Sequence, residues 1–523
     1  MALHTENYSS QLKNSLSIAG SVIIGFAIVV LMAHYLAAQF QPVRWPTRYY
    51  FLGMFFVALF ANKRTAVAAF VFFLPLAPDF HLQLELVLRP AVKYFVAHTG
   101  VDIVAGLCAG WWVKRAWLER KFAPPFERIH WSFGLVATMM AVSVTLAVTR
   151  NFLAIDAPDF SILGTWEQLT RFKLLNHPSV YVPFVDLVSY CFAILAAAVL
   201  VPYLKSLEQG QRESVIFVPL MWSAIFSACW GIWQSFSGLG LSQITLDYRP
   251  TSLGFGAQGF QPDIHSFAGI MLIGTIGILG FIKNADKREA LLGYCCIGIC
   301  WVALILSKSK TSFVLALAVS ALFAYTCLRS MGVSRRKIVY CGLAVTIGLS
   351  VLLLLTKNLV WIEELARVLL VPSNWSKEKL NDALVYRPEL FRAAWLMFAD
   401  SPIFGVGQGN FFRLSADIDI SQSVHMAQKG GENAHNYFLQ TFAETGIVGI
   451  SVFCLVFGLP FFLIDSFSKI RAPAVAMLSI ALANVYSHSL LIRPNLILLA
   501  VLVALMYASI DSGKEARQTS RVG

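Results

Sequence analysis

The hydrophobic positions of this chain gather into long apolar runs separated by short polar segments, with no sustained alternation of the kind that marks strands. The runs lie near residues 15–38, 49–61, 65–78, 99–113, 132–149, 184–203 and 214–236, then near 264–282, 289–306, 311–328, 338–356, 446–464, 473–490 and 495–510. Crossing about 30 Å of hydrocarbon takes about 20 helical residues, and a helix satisfies its own backbone hydrogen bonds there. The second and third runs are short and the third carries Pro75 and Pro78, so this pair reads either as full spans or as a re-entrant pair. The pattern predicts an all-α polytopic membrane protein of about 12–14 transmembrane helices.

Composition sharpens that reading. Of 523 residues, 57% are hydrophobic and 13% charged, against roughly a quarter charged in soluble proteins. A water-soluble fold is excluded. The net charge of +12 follows from membrane topology rather than from nucleic-acid binding. With the N-terminus inside, 22 Lys and Arg fall on the inner side and 19 outside, eight of the latter in one long loop that the positive-inside rule does not count. Both termini are therefore expected in the cytoplasm. The first run ends without a small-residue cleavage site and reads as a retained span. The nine cysteines all lie in apolar runs, so disulfides and metal sites are not expected. Cys295, Cys296 and Cys300 read as small buried hydrophobes.

This topology puts three long stretches outside, at about 150–183, 237–263 and 357–445. The expected organisation is one transmembrane domain over 1–510, a large helical external loop at 357–445 inserted within it, and a polar cytoplasmic tail at 511–523. Long loops on a rigid scaffold commonly carry function. In the largest one, Pro388 suits a first helical turn, and Leu390, Ala394 and Met397 recur at helical spacing. A helix of about three turns is predicted, ending before Ser401 and Pro402. Gly405, Gly407 and Gly409 then form a tight turn. His435 opens a second helix, which Gly446 ends before the next span.

At these residues the chain resembles the bacterial O-antigen ligases and the related O-antigen and exopolysaccharide polymerases. The resemblance rests on Arg387 followed by Trp395 and DSPIFGVGQGNF, on AHNYFLQTFAETGIVG around His435, on SKSKTSF at Ser307 to Phe313, and on YRPTSLGF from Tyr248. It covers roughly residues 245–465, and it implies a metal-independent, C-type, inverting glycosyltransferase without cofactor in the bacterial inner membrane. The implied donor is an undecaprenyl-diphosphate-linked glycan presented at the periplasmic face. The implied acceptor is a second glycan, lipid A-core or a protein hydroxyl. A flippase and a chain-length regulator are the implied partners, beside the bilayer.

The residues fit the chemistry such a reaction needs. A diphosphate leaving group calls for cations where charge develops, and guanidinium groups offer paired donors to phosphate oxygens. Arg387, Arg249 and Lys310 are the candidates. Lys310 stands where the family commonly has Arg, giving a point charge without the planar fork. An acceptor hydroxyl calls for a base that titrates near neutrality, and His435 is the candidate. Asn436, Arg392, Glu432 and Glu444 are candidate supporting residues. Glu444 lies nine residues after His435, about half a turn away around a helix, so Glu432 is the better partner for the imidazole and Glu444 reads as structural.

Other features take plainer readings. Asp417 and Asp419 read as a turn rather than a metal site. The three spaced glycines follow no strand and are not a nucleotide loop. His265 and His488, at apolar runs, read as packing residues, with His265 placed to line the cavity after the Arg249 segment. Two alternatives to a polymerase or ligase stay open: a protein O-oligosaccharyltransferase, and a transporter or flippase of the same lipid-linked glycan. A transporter often shows repeated halves and midplane binding groups. Here the candidates cluster on one side.

Overall fold

The computed structural model describes residues 44–78, 99–117, 131–153, 178–241, 256–282, 287–309, 312–318, 321, 386–463 and 471–522. Among the described residues all regular structure is helical. The first helices are α1 (Arg44–Phe60), α2 (Lys63–Phe73), α3 (Thr99–Trp117) and α4 (Trp131–Leu153), followed by α5 (Pro178–Lys205), α6 (Gln209–Ser237), α7 (Ile264–Ile282) and α8 (Lys287–Leu306). The large loop contributes α9 (Arg387–Asp400), α10 (Phe411–Ser415), α11 (Ile418–Ser421) and α12 (Val424–Lys429), and the chain closes with α13 (Tyr437–Leu463), α14 (Arg471–Asn484) and α15 (Arg493–Val522).

Among the described residues, five stretches are long and apolar enough to cross a membrane: Trp131–Asn151, Asp186–Lys205, Gln209–Ser237, Tyr437–Leu463 and Arg493–Ile510. Shorter apolar helices lie at Tyr49–Phe60, Ile264–Leu279, Leu291–Leu306 and Ala472–Asn484. This is a polytopic all-α membrane protein, as the hydropathy predicts. The expected spans at 15–38 and 338–356 lie outside the described residues, as do Arg249 and Lys310. Over the polar tail, α15 continues as helix to Val522.

The ambiguous pair near 49–78 is a pair of helices joined at Ala61 and Asn62, with the Asn62 side chain capping α2 by accepting from Thr65 N at 2.8 Å. The 11 residues of α2 rise about 16 Å, half the hydrocarbon depth. A Cβ on Gly106 or Gly110 of α3 would sit 2.5 Å from the carbonyl oxygens of Phe51 or Phe55. These two glycines, four apart, let α1 and α3 approach to backbone contact, where van der Waals packing rather than water exclusion holds membrane helices together. Nearly all of Arg493–Ile510 is buried, which makes the first part of α15 the centre of the bundle, packed along α5.

Chain direction brings one set of helix ends together. The C-terminal ends of α4, α6, α8 and α14 and the N-terminal ends of α5, α7, α13 and α15 border the stretches that the charge pattern assigns to the outer side. The 386–446 segment forms its own small apolar cluster there, around Leu390, Met397, Phe411, Leu414 and Met426. It is tied to α4 by several bonds. Ser143 Oγ donates to Glu444 O at 3.2 Å and accepts from Gln408 N at 2.9 Å, and Asn151 Nδ2 donates to Asn410 Oδ1 at 2.7 Å.

Candidate active site

The predicted loop helix is α9, running from Arg387 to Asp400 with Pro388 in its first turn and Leu390, Ala394 and Met397 buried. Its start is set by Tyr386, which takes a left-handed φ of 56° and stacks its ring on His425 at 3.6 Å. Gly405, Gly407 and Gly409 all have positive φ, forming the turn that the sequence predicts. The second helix begins at Tyr437, with Asn436 capping it by accepting from Leu439 N at 3.0 Å. His435 therefore stands just before the helix, in a left-handed conformation with φ 50°. Gly446 breaks the helix at φ 65°, ψ −164° before the membrane-crossing part continues.

His435 Nε2 lies 3.1 Å from Glu432 Oε1, with both side chains a quarter exposed. A carboxylate only accepts, so the imidazole presents Nε2–H to it and keeps Nδ1 as its basic nitrogen. That Nδ1 is buried and, among the described residues, has no hydrogen-bond partner. Glu444 is fully buried elsewhere: it accepts from Phe411 N at 3.0 Å, from Gln440 Nε2 at 3.3 Å and from the backbone of Gly409. It fastens the glycine turn to α13. Arg392 is exposed and donates to Gln422 Oε1 at 2.6 Å, five residues and about 140° around α9 from Arg387.

Three groups that the sequence left as packing residues or passed over join His435. The ring of His488, from the turn between α14 and α15, meets that of His435 at a centroid distance of 4.7 Å and 72°. His265 Nδ1 lies 3.1 Å from Ser309 Oγ, in the SKSKTSF segment. Asp263 caps α7, its Oδ1 accepting from the backbone N of His265 at 2.8 Å and of Ser266 at 2.9 Å. Burial works to raise the Asp263 carboxyl, but the imidazoles of His488 and His265 and the Ser266 hydrogen bonds outweigh it and hold it below the usual carboxylate range. Burial lowers the His488 imidazole from its ordinary value, against the pull of Asp263. Burial also lowers the Arg387 guanidinium, which interacts with Tyr486 and with both His265 and His488. A guanidinium stays charged regardless.

The site thus draws on the start of α7, the turn after α8, the start of α9, the approach to α13 and the turn before α15. Among the described residues, no group of three or more His, Cys, Asp or Glu is arranged to hold a metal ion. The signals for Asp263 and His488 were weak but present: an acid directly before an apolar run is a capping pattern, and a histidine at the end of an apolar run is out of place.

Comparison with known proteins matches a family model to part of the chain and finds no match to an individual curated protein. The matched stretch contains the Ser309 turn, Arg387, His435 and Glu444, and it ends within α13. The family model described as O-antigen ligase matches residues 295–454, and it supports for this multi-pass membrane protein the family that its motifs resemble.

Proposed function

We propose that this protein transfers a glycan from an undecaprenyl diphosphate carrier to an acceptor hydroxyl at the outer face of the inner membrane, with His435 as general base. The observation that carries the reading is the pairing of His435 Nε2 with Glu432 at 3.1 Å, within the stretch that matches the O-antigen ligase family. Nδ1 takes the proton of the acceptor hydroxyl while its oxygen attacks the anomeric carbon. The bond from that carbon to the phosphate oxygen breaks with its electron pair on the leaving diphosphate. Attack from the opposite face inverts the anomeric centre. Glu432 balances the imidazolium that forms, and Arg387 offers paired donors to the diphosphate as its charge grows. Arg249 and Lys310 are assigned to the same clamp from sequence.

Replacing His435 with Ala should lower transfer by about 10² to 10⁴-fold, the usual worth of a general base, in protein that still inserts and folds. Near-normal transfer by that variant would remove His435 from the role. The SKSKTSF wording favours a polymerase, for which lipid-linked repeat units alone should yield longer carrier-bound chains. Movement of the lipid-linked glycan between leaflets with no glycosidic bond formed would point to a transporter instead.

A further inference from the structure

We propose that His488 is a positioning residue for glycan transfer, whose uncharged ring braces His435 and holds its Nδ1 toward the acceptor hydroxyl. The proposal rests on the reading of His435 as the base. The rings meet edge to face at 4.7 Å, a geometry in which aromatic rings attract through their quadrupoles.

The segment that carries His488 is fixed from two sides. Tyr437 N, at the start of α13, donates to Ser487 O at 3.0 Å, and Leu491 N donates to His488 O at 2.9 Å. Asn484 Oδ1 accepts from Leu490 N at 3.0 Å, and Asn495 Nδ2 donates to Ser489 O at 3.1 Å. The two histidines therefore belong to one hydrogen-bonded unit, although 53 residues separate them in the chain. In each of them Nδ1 is buried without a partner among the described residues, a costly arrangement for polar atoms unless a polar ligand enters.

Among the described residues, the charged and titratable groups around His488 are Asp263 and His265 from the start of α7, Glu432 and His435 before α13, and Arg387 at the start of α9. Arg387 is already a cation, and His435 becomes one when it takes the acceptor proton. A third positive charge on His488 would oppose that proton transfer. A neutral ring braces the base without opposing it, and burial favours the neutral form.

The test uses full-length protein in lipid nanodiscs, lipid-linked glycan repeat units as substrate, and the pH profile of kcat/KM. His488→Ala should lose about tenfold to a hundredfold in kcat through misalignment of the base, with KM for the lipid-linked donor changed less than about twofold. His488→Phe, which keeps an aromatic face without a titrating group, should recover most of that loss. His488→Lys, which adds a cation beside the base, should move the acid limb of the profile to lower pH. The proposal is overturned if His488→Ala transfers glycan as wild type does, if Phe rescues no better than Ala, or if Lys leaves the acid limb in place. Loss of transfer in His435→Ala together with wild-type behaviour of the His488 variants sinks this proposal alone. Full activity in His435→Ala sinks the reading beneath it as well.

Discussion

His435 adopts a backbone conformation that non-glycine residues rarely take, φ 50°, and such strain is kept where the surrounding structure over-determines it. Two neighbours do so here: Glu432 at Nε2, and Tyr437, whose N–H is bound by Ser487. In the proposed transfer, Glu432 decides which imidazole nitrogen is the base and supplies the negative charge opposite the imidazolium. Glu432→Gln keeps an oxygen that can accept the Nε2 proton but removes the charge. It should lower kcat about tenfold to a hundredfold while leaving KM for the donor nearly unchanged, because the lost interaction strengthens only in the transition state. A KM effect of equal size would instead place Glu432 in substrate binding. Glu444 lies within α13 whereas His435 stands outside it, so an angle counted along one helix does not relate the two, and in the structure Glu444 binds the glycine turn.

At the scale of elements, the loop unit is held where it meets the break in α13. A Cβ on Gly446 would lie 2.4 Å from Ile403 O, and its φ of 65° with ψ −164° suits glycine alone. Gly446→Ala should therefore cost about 1–3 kcal/mol and detach the 402–405 turn, which thermal unfolding and proteolysis of the loop would register. The ion pair between Arg150 and Asp400, 3.0 Å long but half-exposed on both sides, is a useful contrast. Asp400→Ala should change stability by no more than about 0.5 kcal/mol, and a larger loss by the same thermal measurement would mean that the pair anchors the loop. Helix existence was largely legible at this scale, since Arg387–Asp400 and the break at Gly446 follow from Pro388, the spacing of Leu390, Ala394 and Met397, and glycine placement. The exact start of the last loop helix was not, because Asn436 takes the cap and leaves His435 outside it.

For the molecule as a whole, acid should weaken the fold through the polar end of the bundle. The His488 imidazole is depressed by burial in the folded state. Its contribution is full above its unfolded value of about 6.5 and is lost as pH falls from there through the folded value. The Asp263 carboxyl is also depressed, so its contribution persists above the usual carboxylate range and is lost on further acidification. The thermal midpoint should fall from pH 8 to pH 5, and His488→Phe should flatten that slope in the upper part of the range. An unchanged midpoint over this interval, or an identical slope in the variant, would contradict the assignment.

The sequence by itself determined the all-helical membrane character and the positions of most of the apolar helices described, because each span must bury its own backbone polarity and be apolar along its length, a property of contiguous residues. It also marked Arg387, Glu432 and His435, which lie close enough along one loop for spacing to carry meaning. Only the tertiary structure decided that Asp263, His265, Ser309 and His488 gather around that loop. Their meeting depends on how separate helices pack and where their ends align, and no local period in the chain records contacts between residues more than two hundred positions apart.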